Sequence, residues 1–253
     1  MLFIRDRVLK KEFFAGMWCS LASSIPAEII GLAGYDWVLL DQEHSPASNF
    51  SLLGQMQALS ASNTAPIVRL PQLNWGAAKT ALDLGASGLM FPNIDSVEAA
   101  TTAVSYLRYP PRGARGVGGS VRATAYSYNF ESYFASADDK LLGVIQIENI
   151  QAVANSEAIA AVDGVDVLFV GPADLSTYLQ MPKRFNDERF VKILRQLAGA
   201  AANQGKASGI LIADTTLLPL VKEMGYTFVS VGQDLVMLAK SLKENLRLVR
   251  EIR

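Results

Sequence analysis

The stretch "GLAGYDWVLLDQEHSP", residues 31–46, holds in miniature the pattern that decides the fold. Its Gly-rich start closes an amphipathic segment, "PAEIIGLAG", at the place where a helix should stop. "WVLLDQ" (37–42) follows as a near-continuous apolar run, the signature of a strand buried on both faces in a parallel sheet. Acids, the chain's only histidine and a proline then arrive together. The same succession recurs along the chain. Further strand candidates are "AGMWCSLA" (15–22), "PIVRL" (66–70), "GLMFP" (88–92), "LLGVIQIE" (141–148), "VDVLFV" (165–170), "ASGILI" (207–212) and "TFVSVG" (227–232). Between them stand helix-like stretches such as "NFSLLGQMQALSAS", "NWGAAKTALDLG" and "SVEAATTAVSYLR".

Eight such units in 253 residues match the size of a single-domain (β/α)8 TIM barrel. A doubly wound sheet would announce itself by a Gly-rich fingerprint after the first strand, and none stands there. "RGARGVGGSVRA" (112–123) does not complete that fingerprint and no strand precedes it. It is read as part of a long connection, 108–140, between the fourth and fifth strands, a functional lid or an interface segment. A C-terminal helix is expected at about 234–252.

Composition narrows the function classes. Half the residues are hydrophobic, enough for one sizeable core, and 23 basic against 24 acidic side chains leave a formal charge of −1. That balance offers no global attraction to nucleic acid or to an anionic membrane. A single cysteine, Cys19, excludes an intrachain disulfide framework and a cysteine-built zinc site. The N-terminus is too charged for a signal peptide, and no run approaches the roughly 18 apolar residues of a membrane span. A soluble, cytoplasmic protein is the expectation.

In a barrel of this kind chemistry belongs to the C-terminal strand ends. Asp41, Glu43 and His44 follow the second strand, and Arg69 ends the third. Gln146 and Glu148 lie two residues apart on the fifth and therefore share a face. Gly171, Pro172, Ala173 and Asp174 follow the sixth, and Leu211 ends the seventh. Each has a bland reading. A lone histidine beside a strand is often structural, and Arg69 could simply pair with an acid, Glu148 or Asp174 among them. Gly171-Pro172-Ala173-Asp174 could be only a helix start, although helix-start N–H groups also seat a carboxylate. Two carboxylates converging on one rim repel, and a divalent cation is the usual remedy. Glu148 and Asp174 as oxygen ligands favour Mg²⁺ or Mn²⁺ over zinc. Such a site suits enolate chemistry, with the cation and Arg69 facing the developing negative oxygen and His44 moving the proton. A Schiff-base route is disfavoured, because no lysine lies within an expected strand.

These residues also carry a resemblance. "GLAGYDWVLLDQEHSP", "PIVRLP", "YPPRGARGVGG", "VIQIEN", "VGPADLS", "SGILI" and "FVSVGQD" occur in the order found in the HpcH/HpaI family of class II pyruvate-dependent aldolases, and the likeness covers nearly the whole chain. The resemblance implies a divalent-metal aldolase (Mg²⁺ or Mn²⁺, possibly Co²⁺ in the cell) that joins or splits pyruvate and an aldehyde. Carried across by motif, it makes His44 the base and Arg69 the transition-state stabiliser. Gln146 and Ala173 contact the keto acid, and Glu148 and Asp174 hold the metal. It assigns Asp83 of "LDLGA" to raising the basicity of the histidine, across a subunit contact; Asp41 is the local rival for that role. Hexamers, frequently with an exchanged C-terminal helix, are common in the family. The chain departs from the family pattern at Gln42 and Ser45, and again over "TYLQMPKRFNDERF" (177–190). Arg122 is either a holder of a distal substrate carboxylate or a surface charge. Two other readings stay open: an oxaloacetate decarboxylase or other enolate-forming lyase on the same site, and a non-enzymatic barrel that binds a keto acid.

Overall fold

A computed structural model describes residues 2–252, and in it eight strands close a parallel barrel in chain order. They are β1 (Phe14–Cys19), β2 (Trp37–Asp41), β3 (Ala65–Arg69), β4 (Gly88–Phe91), β5 (Leu142–Ile147), β6 (Val167–Val170), β7 (Ala207–Leu211) and β8 (Phe228–Gln233). The closing pair, β8 with β1, is parallel like the rest. All eight expected strands are present, with ends within two residues of the apolar runs except at β1, which stops three residues short of its run.

Local chemistry sets the helices. Ser23 accepts from the Ile25 N–H at the start of helix Ser24–Leu32, and Asn74 and Ser96 do the same for helices Trp75–Asp83 and Val97–Ser105. Ser48 and Ser51 satisfy each other's backbone at the start of helix Asn49–Ala58, a capping box.

The period-two geometry of each strand sorts its side chains into two cores. Val38 and Leu40 of β2 face outward to the helices, in a large shell that also holds Leu52, Leu82 and Leu89. Trp37 and Leu39 face inward with Phe14, Trp18, Ile67, Val144, Phe169 and Phe228. Trp37 stacks on Phe228 at 3.9 Å between ring centroids. It fits only because residue 16 is glycine, since a Cβ there would run into the Trp37 indole. Ile4 and Val8, flanking and within the short helix Arg5–Leu9, belong to the same inner core and close the barrel from its N-terminal side. Carrying the inward series one step further up each strand gives Ser20, Asp41, Arg69, Gln146 and Glu148, all buried. The inside is therefore apolar at the bottom and polar at the rim.

The long connection corrects an expectation. Helix Val97–Ser105 runs back from the rim, and Arg122 and helix Phe130–Lys140 lie at the N-terminal face, while Ala114 accepts from Trp75 Nε1 along the flank of helix Trp75–Asp83. Arg122 and helix Phe130–Lys140 form no lid over their own rim, and the interface reading stays open. Residues 106–140 include a 3-10 turn, Arg122–Thr124, and a helix, Phe130–Lys140, that the sequence reading did not separate out. The C-terminal helix, Asp234–Glu251, buries none of its residues. Leu238, Leu242 and Leu246 are each about half exposed or more, at 50%, 61% and 49%. Among the described residues no helix is long and apolar enough to cross a membrane.

Candidate active site

Register brings the first pair together. Asp41 and Arg69 are Cα partners across β2 and β3. Arg69 Nε and Nη2 donate to Asp41 Oδ1 and Oδ2 at 2.9 and 2.7 Å, and Nη1 reaches Glu43 Oε2 at 2.8 Å. The guanidinium also sits 4.7 Å from the Trp18 ring centroid. Arg69 thus pairs with Asp41 and Glu43, not with Glu148 or Asp174 as the sequence had suggested. The cause is adjacency in the sheet: the β2 carboxylates are the nearest anions to the end of β3.

Asp41 is the organising residue of this corner. Besides Arg69, it accepts from Trp18 Nε1 at 3.2 Å, Ser20 Oγ at 3.3 Å and the backbone N–H groups of Glu43 and His44 at 3.0 and 3.3 Å. Burial pushes its carboxyl upward, but the Arg69 guanidinium and these donors hold it below the usual carboxylate value. The contact with His44 runs through the main chain, so Asp41 fixes the turn that presents the exposed imidazole.

Across the barrel, Gln146 Nε2 donates to Glu148 Oε2 at 2.6 Å, and the Asn93 N–H donates to Oε1 at 2.7 Å. Burial, with Glu43 and Asp174 adding like charge, raises Glu148 to about 7. Burial also raises Glu43, although Arg69 pulls the other way. Glu43 and Asp174 are thus near enough to act on Glu148 through their charge, without the three forming one tight cluster. Gly171 is required beside them, because a Cβ would come within 2.8 Å of both Gln146 Nε2 and Glu148 Oε2. Pro172 is at the first turn of helix Pro172–Tyr178, with Ala173 and Asp174 exposed at its start. Their N–H groups have no carbonyl within the helix to bond. Leu211 lines a cavity of about 630 Å³ between the ends of β7 and β8 and the C-terminal helix.

Two sequence candidates lie elsewhere. Asp83 ends helix Trp75–Asp83 on the way back to the N-terminal face, half-buried, with Arg115 Nη2 3.9 Å from its Oδ1. Burial raises its carboxyl, against Arg115 and Lys79. Among the described residues no hydrogen bond joins it to His44 within the chain. Arg122 donates to the carbonyls of Leu84 and Met56 and to Ser60 Oγ at the N-terminal face, so it does not join the rim. Asn93 was missed. Its backbone adopts φ 54°, and only the Asn after "MFP" hinted at that left-handed turn. Gln42, the departure flagged in the sequence, lines a cavity of about 340 Å³ with Asn49 and Thr80, beside the His44 turn.

A parallel barrel whose rim carries a buried guanidinium, an exposed imidazole and several carboxylates, with no lysine on any strand, has the groups that an enzyme of proton transfer and anion binding would need at its strand ends. The comparisons agree: the chain belongs to the HpcH/HpaI aldolase/citrate lyase family, which it matches over residues 15–241, and is a carbon–carbon lyase of the aldolase type. It is 39% identical to a hydroxypyruvate/pyruvate aldolase of Pseudomonas aeruginosa, covering 95% of this chain and 90% of that one. It is 37% identical to a 2-keto-3-deoxy-L-rhamnonate aldolase of Klebsiella pneumoniae, covering 96% and 91%. Among solved structures, a family member from Burkholderia cenocepacia superposes with a TM-score of 0.92 at 35% identity, with 98% of each chain covered.

Proposed function

We propose that this enzyme cleaves and forms 4-hydroxy-2-oxo acids, of the 2-keto-3-deoxy sugar-acid type, to and from pyruvate and an aldehyde, with Mg²⁺, Mn²⁺ or Co²⁺ as cofactor. The observation that carries the reading is the rim itself: buried Glu148 bonded to Gln146 and to the Asn93 N–H, buried Arg69 held by Asp41 and Glu43, and His44 and Asp174 exposed beside them. The donor set fits a hard cation. Glu148 and Asp174 are oxygen donors, Gln146 Oε1 is buried without a donor, and like charge at the site needs neutralising. Among the described residues no group of three metal-ligating side chains occurs, so water and substrate would supply the remaining ligands. When bound, the cation would act as a Lewis acid on the keto oxygen.

The chain's own residues do the rest. Arg69, held in plane by Asp41, turns Nη1 toward the rim, where a substrate oxygen gaining negative charge displaces Glu43 as its partner. His44, presented by the turn that Asp41 ties down, takes the proton that leaves the aldehyde-side hydroxyl in cleavage and returns one to the pyruvate methyl carbon. Gln146 and the N–H groups of Ala173 and Asp174 orient the keto acid's carboxylate, with Gly171 and Pro172 shaping that wall and Leu211 closing the apolar side. Asp83 serves the His44 of another copy. A hexamer that uses the uncovered apolar faces of helix Asp234–Glu251 would bring it there, and the enzyme works in the cytoplasm.

The test is pyruvate release from a panel of such acids. Activity is expected to vanish with chelator and to return with Mg²⁺, Mn²⁺ or Co²⁺; chelator-resistant turnover refutes the metal. His44→Ala is expected to slow proton exchange at the pyruvate methyl by about 10²–10⁴-fold. Unchanged exchange removes His44 as base. Oxaloacetate turnover exceeding aldehyde-dependent condensation would make the enzyme a decarboxylase instead.

A further inference from the structure

The N-terminal face, at the far end of the barrel from the rim, holds a second cavity of about 640 Å³. Its walls come from the turn before β3, Gly85 ahead of β4, and the 106–140 connection. Arg122 and Lys140 both line it, and no Asp or Glu is among its described lining residues. The other polar groups are hydroxyls and amides, Ser60, Asn63, Asn129, Ser132 and Ser136 among them.

Arg122 is the unusual member. Its Nη1 donates to Leu84 O at 2.7 Å, and its Nη2 donates to Met56 O at 3.0 Å and Ser60 Oγ at 2.7 Å. All three acceptors are neutral, and they use three of the five N–H groups of a guanidinium. Half-buried, it has no carboxylate to offset the loss of water, and burial pushes its pKa below the usual arginine value. The buried arginine at the rim, Arg69, has two acids at hydrogen-bond distance; Arg122 has none. Lys140 is exposed at the edge, its ammonium 5.6 Å from the Phe3 ring centroid and in no ion pair among the described residues. Two cations bordering one cavity whose described lining holds hydroxyls and amides but no acid make it suited to an anion. The strand ends of the same chain lie at the opposite face, and the described contacts of Arg122 and Lys140 include no residue of their own rim.

We propose that this cavity binds a small oxyanion, a carboxylate or a phosphate carried on a polyhydroxylated body, with Arg122 and Lys140 as its counter-charges. The free N–H groups of Arg122 take the oxyanion, Lys140 closes over it, and the serine and asparagine side chains read the hydroxyls. Bound there, the ligand ties the β3 and β4 entry turns to helix Phe130–Lys140 and stabilises the folded chain by mass action.

The experiment is a calorimetric titration of the full chain with gluconate, glycerol 3-phosphate and inorganic phosphate in separate arms. Gluconate or glycerol 3-phosphate is expected to bind saturably and more tightly than inorganic phosphate, and the stronger of the two identifies the oxyanion. Lys140→Glu and, separately, Ser136→Asp change side chains at the cavity that hold no other ion pair. Each is expected to weaken binding roughly tenfold or more, with pyruvate-forming turnover kept within about twofold. The proposal is overturned if none of the three binds at about 10 mM, an order of magnitude above a weak millimolar affinity. It is equally overturned if inorganic phosphate binds as well as the polyhydroxylated anions, or if both variants bind as the unaltered chain does.

Discussion

Replacing Asp41 with asparagine isolates the electrostatics of the rim from its shape. The amide side chain is isosteric and keeps one carbonyl oxygen for the Glu43 and His44 N–H groups, but its Nδ2 would face Arg69 Nη2, donor against donor. The guanidinium is 5% exposed and cannot turn to water. Breaking a buried pair by removing one partner costs about 3–5 kcal/mol. Glu43 remains 2.8 Å from Nη1, so the lower end applies, about 3 kcal/mol. At about 2–4 °C per kcal/mol for a chain of this size, Tm should fall by roughly 6–12 °C. The double variant Asp41→Asn/Arg69→Met, which removes both charges, should recover more than half of that loss. The sign with pH is fixed too. Asp41 sits below its ordinary value, so its stabilisation is complete above about 3.8 and is lost as pH falls; the variant should lack that part of the acid limb. The assay is thermal unfolding by circular dichroism at one fixed protein concentration, across pH 3–8. A fall of less than about 2 °C, or a double variant less stable than either single one, would refute the reasoning.

Other outcomes follow from the same geometry. Glu148 is raised from 4.5 to about 7, so without metal its contribution is fully present below pH 4.5 and is lost by about pH 7. That amounts to about 3 kcal/mol, and Glu148→Gln should flatten this part of the stability–pH curve measured with chelator present. Gly171→Ala should push Glu148 off Gln146 and weaken Mn²⁺ binding roughly 10–100-fold by direct titration, while Tm changes little. Charging the apolar face of the last helix with Leu242→Glu and Leu246→Glu tests the proposed hexamer: the sedimentation coefficient should fall toward that of a single chain while the barrel's circular dichroism stays intact.

The barrel was legible because both-face burial writes itself as apolar runs, and "WVLLD" and "LLGVIQI" have the same form although one ends in an acid and the other runs on to one. The rim was legible for the same reason: a polar residue that continues the inward series of a strand stands out, as Asp41, Arg69, Gln146 and Glu148 do. Pairing was not legible. That Arg69 takes Asp41 depends on the stagger between β2 and β3, which no single strand encodes. The side of the barrel on which Arg122 and helix Phe130–Lys140 lie follows from the direction of helix Val97–Ser105, and length alone left a lid and an interface segment equally open. Arg122 and Asp83 sit in segments without strand periodicity, so their distance from the rim could not be read from spacing.

The stacked Trp37 and Phe228, with Ile4 and Val8 beneath them, make the barrel a vessel with one mouth. Below Glu148 that floor is apolar throughout, whereas His44 is exposed at the rim, so the direct route for a solvent proton to either group is past the rim, where substrate would enter. A bound keto acid is therefore also the stopper, and isotope exchange with solvent should report how long that stopper stays in place.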